Sequence, residues 1–216
     1  VGGDYYDFFW RRESARTPFS IAVGDITGHG VDAALLMSSA RAFLRLHASR
    51  DESIVDIIRA ANQHLAEDVS ESGRFMTLFY LTIDADLGGL EWVRAGHDPA
   101  LLYDPEYDRF EDLKGPGIAL GINDQFDYRP NRKEGLADGQ IIAIGTDGIW
   151  ESYNDAGEMF GRERFKSILR RHAHRSAGEI VNAVFDRLAD FSRGRRPEDD
   201  ITLVIAKIQK QVPRPA

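Results

Sequence analysis

Apolar and polar positions alternate along the chain with two different periods, and the switches between them divide it into elements. Residues 5–11 and 19–26 are aromatic and β-branched and read as strands, whereas 31–47 and 53–71 repeat apolar residues at helical spacing. Residues 75–84 and 90–95, separated by Gly88-Gly89, and then 100–103, before a polar turn around Pro105 to Asp108, predict a meander of antiparallel strands. Within 75–84, Phe75, Thr77, Phe79 and Leu81 alternate with Met76, Leu78 and Tyr80. Both faces are largely apolar, so this sheet should be covered on both sides. Residues 114–121 are glycine-rich, and 123–138 carry no periodicity and read as a surface excursion. Residues 140–145 predict a buried strand and 163–172 a helix. Ser176 and Glu179 then form a capping-box pattern ahead of Val181, Val184, Phe185, Leu188 and Phe191, a helix ending near Gly194. Residues 201–208 predict a last strand, and 210–216 a frayed tail. Strands and helices do not alternate regularly, which argues against a parallel doubly wound sheet. The expectation is an α+β domain spanning 1–216, with two antiparallel sheets flanked by helices.

Composition narrows what this domain can do. Its 216 residues, 43% hydrophobic, suffice for one substantial core. The formal charge of −8 opposes docking on nucleic acid or on an anionic membrane. With no cysteine, disulfides and thiolate zinc sites are excluded, and any metal must be held by carboxylate, carbonyl or imidazole. The absence of any long apolar run predicts a soluble, cytoplasmic domain. A first residue of Val1 inside a motif suggests a piece of a longer protein.

The candidate chemistry lies in carboxylates at strand ends. Asp25 closes one buried strand and Asp147 another, Asp199 and Asp200 precede the last, and Asp4 follows Gly2-Gly3 at the head of the first. Each taken alone is as well explained as a turn former or helix cap. Together, beside glycines that let a ligand approach the backbone and with few cations adjacent in sequence, a shared divalent site explains them better. Two hard cations roughly 3.5–4 Å apart can activate a water and clamp a phosphoryl group, and carboxylate ligands suit magnesium or manganese.

Gly2-Gly3-Asp4-Tyr5-Tyr6-Asp7, Val23-Gly24-Asp25-Ile26-Thr27-Gly28-His29-Gly30, Ala95-Gly96-His97-Asp98-Pro99, Thr146-Asp147-Gly148 and Asp199-Asp200-Ile201-Thr202 occur in this order across nearly the whole chain. The set resembles the SpoIIE/RsbU branch of the PPM (type 2C) serine/threonine protein phosphatases. The resemblance implies an αββα sandwich holding two divalent cations, Mn2+ or Mg2+, at one end of the paired sheets, with direct attack of a metal-activated water on phosphoserine or phosphothreonine. Carried over by motif, Asp25 bridges both metals, the Ile26 carbonyl helps hold the second, Asp147 and Asp199 bind the first, and Asp4 acts on the second through water. Asp200 is a weaker ligand candidate that could instead orient its neighbour. The resemblance further implies a STAS-type anti-anti-sigma partner as substrate, an N-terminal sensor or regulatory domain, and a possible homodimer.

Two departures from the wider type 2C pattern bear on mechanism. Thr27 stands where eukaryotic-type members have histidine, with His29 two positions later, and a helix-start role suits His29 better than that of a general acid. Arg11 and Arg12 are the nearest candidates for a phosphate-holding arginine. A structural role is expected for His97, a plain turn for the 115–121 loop, packing roles for Trp10, Trp92 and Trp150, and a solvated turn for the Arg193–Arg196 tract. The competing reading is a degenerate phosphatase fold that serves as a partner-binding module.

Overall fold

The computed structural model describes residues 2–10, 18–50, 52–84, 88–193, 195 and 198–209. The expectations for Arg11, Arg12, Gly194, Arg196 and the 210–216 tail lie outside them. The chain runs β1 (Asp4–Trp10), β2 (Phe19–Ile26), α1 (Val31–Ala48), α2 (Ile54–Val69), β3 (Met76–Asp84), β4 (Gly89–Ala95), β5 (Ala100–Asp104), β6 (Arg109–Leu113), β7 (Asn131–Lys133), β8 (Ile141–Gly145), α3 (Gly161–His172), α4 (Ala177–Ser192) and β9 (Leu203–Lys207). One sheet has the order β1-β2-β3-β4-β7 and the other β6-β5-β8-β9. Every strand pair within them is antiparallel.

The apolar alternation places three layers of core. Ala22, Leu78 and Tyr80 face α1 and α2, meeting Leu44, Ile58 and Leu65. Ile21, Val23, Phe79 and Leu81 face the second sheet and meet Leu102, Ile142, Ile144 and Val204. Leu101, Tyr103, Ile141 and Ala143 turn outward onto Phe165, Leu169, Val184 and Leu188 of α3 and α4. The order is therefore helix, sheet, sheet, helix. Strands apolar on both faces need such a double cover.

Helix starts follow local chemistry. Ser53 caps α2 by accepting a hydrogen bond from the Asp56 amide. Ser176 and Glu179 form the full reciprocal box at α4, satisfying amide groups that the first turn would leave bare.

Three expectations are corrected. The polar turn at 105–108 is present, but β6 after it is a strand not assigned from the sequence, and β7 is a strand inside the expected excursion. Each lies at a sheet edge with a single strand neighbour, where backbone pairing needs no apolar alternation. The 123–138 excursion is also anchored: Tyr128 and Leu136 are buried within it. Trp10 is not a core residue, since it is 68% exposed at the end of edge strand β1, resting edge-on against Phe19 and Phe8. Trp92 and Trp150 are buried as expected. Among the described residues, no helix is long and apolar enough to cross a membrane.

Candidate metal centre

The head of β1 lies against the tail of β2, with Asp4 directly opposite Asp25 in the ladder and Asp25 opposite Thr77 of β3. Directly opposed residues share a face. Because Ile21 and Val23 of β2 face the second sheet, period two puts Asp25, and with it Asp4, on the same side, at the open end of the sandwich. From the other sheet, β8 ends at Gly145 and is followed by Thr146 and Asp147, while Asp199 and Asp200 lie just before β9.

Hydrogen bonds tie these strand ends together. The Thr146 hydroxyl donates to Asp4 Oδ2 at 2.8 Å and accepts from the Thr202 amide at 3.0 Å, and the Thr146 amide donates to the Thr202 carbonyl at 3.1 Å. Asp200 Oδ2 accepts the Gly3 amide at 2.8 Å, and the Gly3 carbonyl accepts the Ile26 amide at 3.2 Å. Asp200 is thus engaged with the backbone of the first strand, whereas Asp199 is exposed and accepts the amide of Asp200.

Gly3 shows why the opening motif is glycine. A Cβ there would stand 2.5 Å from the Ile26 carbonyl oxygen and 3.2 Å from both Asp25 Oδ1 and the Gly28 carbonyl oxygen. Three oxygens border one point that only glycine leaves clear. Gly148 has a similar role, since a Cβ would lie 2.1 Å from the Asp200 carbonyl oxygen.

Among the described residues, no Lys or Arg forms an ion pair with Asp4, Asp25, Asp147, Asp199 or Asp200. Burial pushes Asp25 up to about 7, with Asp4, Asp199, Asp147 and Asp200 adding repulsion. Asp147 is raised by burial and then by Asp199. Asp4 is raised mainly by burial, against hydrogen bonds from Thr202 and Thr146. Oxygen donors of this kind, some half-buried and some exposed, with no described cation beside them, suit a hard divalent ion. Among the described residues, no three acidic or histidine side chains converge on a single ion-sized point. An ion held here would draw part of its shell from backbone carbonyls and water, as magnesium and manganese allow.

His97 is buried between the sheets. Its Nε2 lies 3.2 Å from the Gly145 carbonyl oxygen, to which it can only donate, so Nδ1 accepts the Thr77 hydroxyl at 2.8 Å. Burial lowers its pKa to about 4, keeping the ring neutral. It joins the strand beside Asp25 to the strand end before Asp147, in line with its expected structural role. His29 is exposed in the loop before α1, and Gly30 is the cap residue. The 115–121 loop is fastened by Asn62 of α2, which is fully buried: its amide donates to the Asn123 carbonyl at 2.8 Å and its oxygen accepts the Gly121 amide at 2.9 Å. Residue patterning did not single out Asn62, Thr146 or Thr202. Thr146 and Thr202 did fall within the quoted motifs, whereas for Asn62 the available signal was a polar residue on an otherwise apolar helix face.

Two antiparallel sheets between helix pairs, with carboxylates gathered where strand ends meet, define the architecture of the PPM (type 2C) phosphatases. Residues 16–209 match the family described as Stage II sporulation protein E (SpoIIE), and the chain belongs to that family. It is 29% identical over 210 residues to the phosphoserine phosphatase RsbU of Bacillus subtilis (strain 168), covering 96% of this chain and 59% of RsbU. It is 24% identical to the phosphoserine phosphatase RsbP of the same organism, covering 97% of this chain and 50% of RsbP. The chain thus spans about half the length of these curated relatives. Among solved structures, the SiaA-PP2C domain of Pseudomonas aeruginosa superposes with a TM-score of 0.82 at 29% identity, over 97% of this chain and 82% of that one. RsbX in complex with magnesium shares the fold at a TM-score of 0.65 and 18% identity, over 95% of this chain and 86% of that one.

Proposed function

We propose that this chain is a metal-dependent protein serine/threonine phosphatase domain that removes phosphate from phosphoserine or phosphothreonine on a partner protein. The observation that carries the reading is the set of carboxylates around Asp25 that no described Lys or Arg pairs with, at the sheet ends of a chain related to two phosphoserine phosphatases. Divalent cations, Mg2+ or Mn2+, would there supply Lewis-acid neutralisation of phosphoryl charge and a water of lowered pKa.

The chain's own residues divide the work of holding them. Asp25 is the candidate to bridge two ions, helped by the Ile26 carbonyl on the side that Gly3 keeps open. Asp147 and Asp199 would hold the first ion, and Asp4, oriented by the Thr146 hydroxyl, would act on the second. Asp200 is better engaged in fixing Gly3 than in direct ligation. Neutral His97 holds the two sheets' strand ends together and takes no part in proton transfer. The relationship to RsbU and RsbP supports a STAS-type anti-sigma antagonist as the substrate. Their greater length supports an N-terminal regulatory segment in the whole protein, with dimerisation as a route of control.

The test is phosphate release from a phosphoserine STAS-type protein in manganese, in chelator, and by Asp147→Asn in manganese, with ion binding followed separately by calorimetry. Turnover should require both the ion and Asp147. Ion binding without turnover on any phosphoprotein would remove the phosphatase assignment, and absence of ion binding would favour a partner-binding module.

A further inference from the structure

The surface beside the carboxylates folds into a groove whose apolar walls the proposed chemistry does not use. It encloses about 400 Å³, with Asp147 and Asp199 at one end. Its apolar walls are Phe185, Leu188 and Ala189 of α4, facing Tyr153 and Ile201. The buried face of α4 is Ile180, Val184 and Leu188. Phe185 lies on the flank of that face and is 39% exposed, so its ring has apolar area still to bury. Beyond Phe185 and Ile201 a second hollow continues toward Tyr6 of β1, which is 59% exposed, so the apolar surface runs on along α4.

The rim of the groove is acidic. Arg195, its one basic side chain among the described residues, is engaged by Glu198 at 3.6 Å and by the Asn154 carbonyl at 3.2 Å. Glu151 stands at the rim, exposed, with no ion-pair partner among the described residues. A basic side chain placed beside Glu151 would give it the ion-pair partner it lacks among the described residues.

We infer that this groove seats the residues next to the phosphoserine of the protein substrate, with an apolar side chain entering between Phe185 and Ala189 and a basic neighbour pairing with Glu151. The inference rests on the phosphatase reading above and specifies the class of sequence that the same site accepts. Continuity with the carboxylate cluster places a bound segment within reach of it, and Glu151, the rim acid without an ion-pair partner among the described residues, selects the basic neighbour.

The experiment uses peptides bearing a non-hydrolysable phosphonate analogue of phosphoserine, flanked by Leu-Lys, Ala-Lys or Leu-Glu on either side. Binding to the manganese-loaded chain is read by fluorescence anisotropy. The Leu-Lys peptide should bind at least tenfold more tightly than either of the others. Ala189→Arg, which fills the groove from an exposed helix position, should abolish the preference for Leu, and Glu151→Gln the preference for Lys, with melting temperatures confirming that both variants fold. Equal affinity for the three peptides, or an unchanged preference in Ala189→Arg, overturns the proposal. So does a wild-type chain that is dimeric in sedimentation and monomeric as Ala189→Arg, since the groove then belongs to a second copy. Hydrolysis of p-nitrophenyl phosphate by the wild type reports on the phosphatase reading by itself: its absence overturns that reading, whereas the peptide preferences report on the groove.

Discussion

Asp7 and Asp4 stand on the same strand in opposite situations. Asp7 is buried toward α1, where Arg45 meets it through two hydrogen bonds, Arg41 lies 3.7 Å away and the Tyr5 hydroxyl donates to it. Asp4, on the other face, has a threonine and no cation among the described residues. Across the ladder from it, Asp25 is held up to about 7 by burial and by its acidic neighbours. An unfolded aspartate titrates near ~3.9. A folded pKa raised above the unfolded one means that the metal-free fold binds the proton more tightly. Its stability is therefore greatest below about pH 4 as far as this group is concerned, and is lost as pH rises through about 7. In chelator, Asp25→Asn should melt higher than the wild type at pH 8 and lose most of that advantage near pH 4, while failing to bind manganese by calorimetry. An equal melting difference at both pH values would mean that the charge on Asp25 is not the cause. The Gly3 cradle gives a second expectation at this scale: Gly3→Ala should weaken manganese binding at least tenfold, because the added carbon meets the Ile26 carbonyl oxygen at 2.5 Å. Wild-type affinity in that variant would exclude this point as part of an ion site. Sequence placed Asp4 and Asp25 at strand ends and left Asp7 within the first strand, on the opposite face from Asp4 by period two. Which of them had a cation partner was not legible, because Arg41 and Arg45 approach from a helix distant along the chain.

At the scale of elements, the site depends on fastenings between pieces that need not otherwise meet. Asn62 on α2 is the clearest: fully buried, it satisfies the Gly121 amide and the Asn123 carbonyl and lies 3.4 Å from the Tyr128 hydroxyl. Asn62→Leu would leave those backbone groups without their partner in an apolar setting, at a cost of about 3 kcal/mol in urea unfolding. A loss below about 1 kcal/mol would mean that water replaces the amide. The start of α4 is a milder case, since Ser176→Ala removes half of a reciprocal cap and should cost about 1 kcal/mol. The capping box could be read directly because it is local, Ser and Glu at fixed spacing, and the long strands were readable from alternation. The short strands β6 and β7 were not, since Arg109–Leu113 and Asn131–Lys133 owe their conformation to pairing with β5 and β4 and not to their own residues. Asn62 was hidden for the same reason: its partners are contributed by a loop far along the chain.

In the whole molecule, Asp4, Asp25, Asp147 and Asp199 come from opposite ends of the chain and two different sheets, so their assembly exists only when both sheets are packed. An ion that binds the folded chain and not the unfolded one must then stabilise the entire sandwich by mass action, as RT ln(1 + [L]/Kd). At a manganese concentration about 100 times Kd the gain is about 2.7 kcal/mol. For a domain of this size each kcal/mol moves Tm by about 2–4 °C, so the midpoint should rise by about 5–10 °C. The rise should be greater at pH 8 than at pH 5, because Asp25 must lose its proton before it can coordinate. Asp147→Asn should remove much of the shift. A substitution at Asp7 should lower Tm in the presence and absence of manganese alike, since its partners are the arginines of α1. If manganese raises Tm by the same amount in Asp147→Asn as in the wild type, the ion binds elsewhere, and the repulsion gathered around Asp25 must then be relieved by protonation instead of by metal.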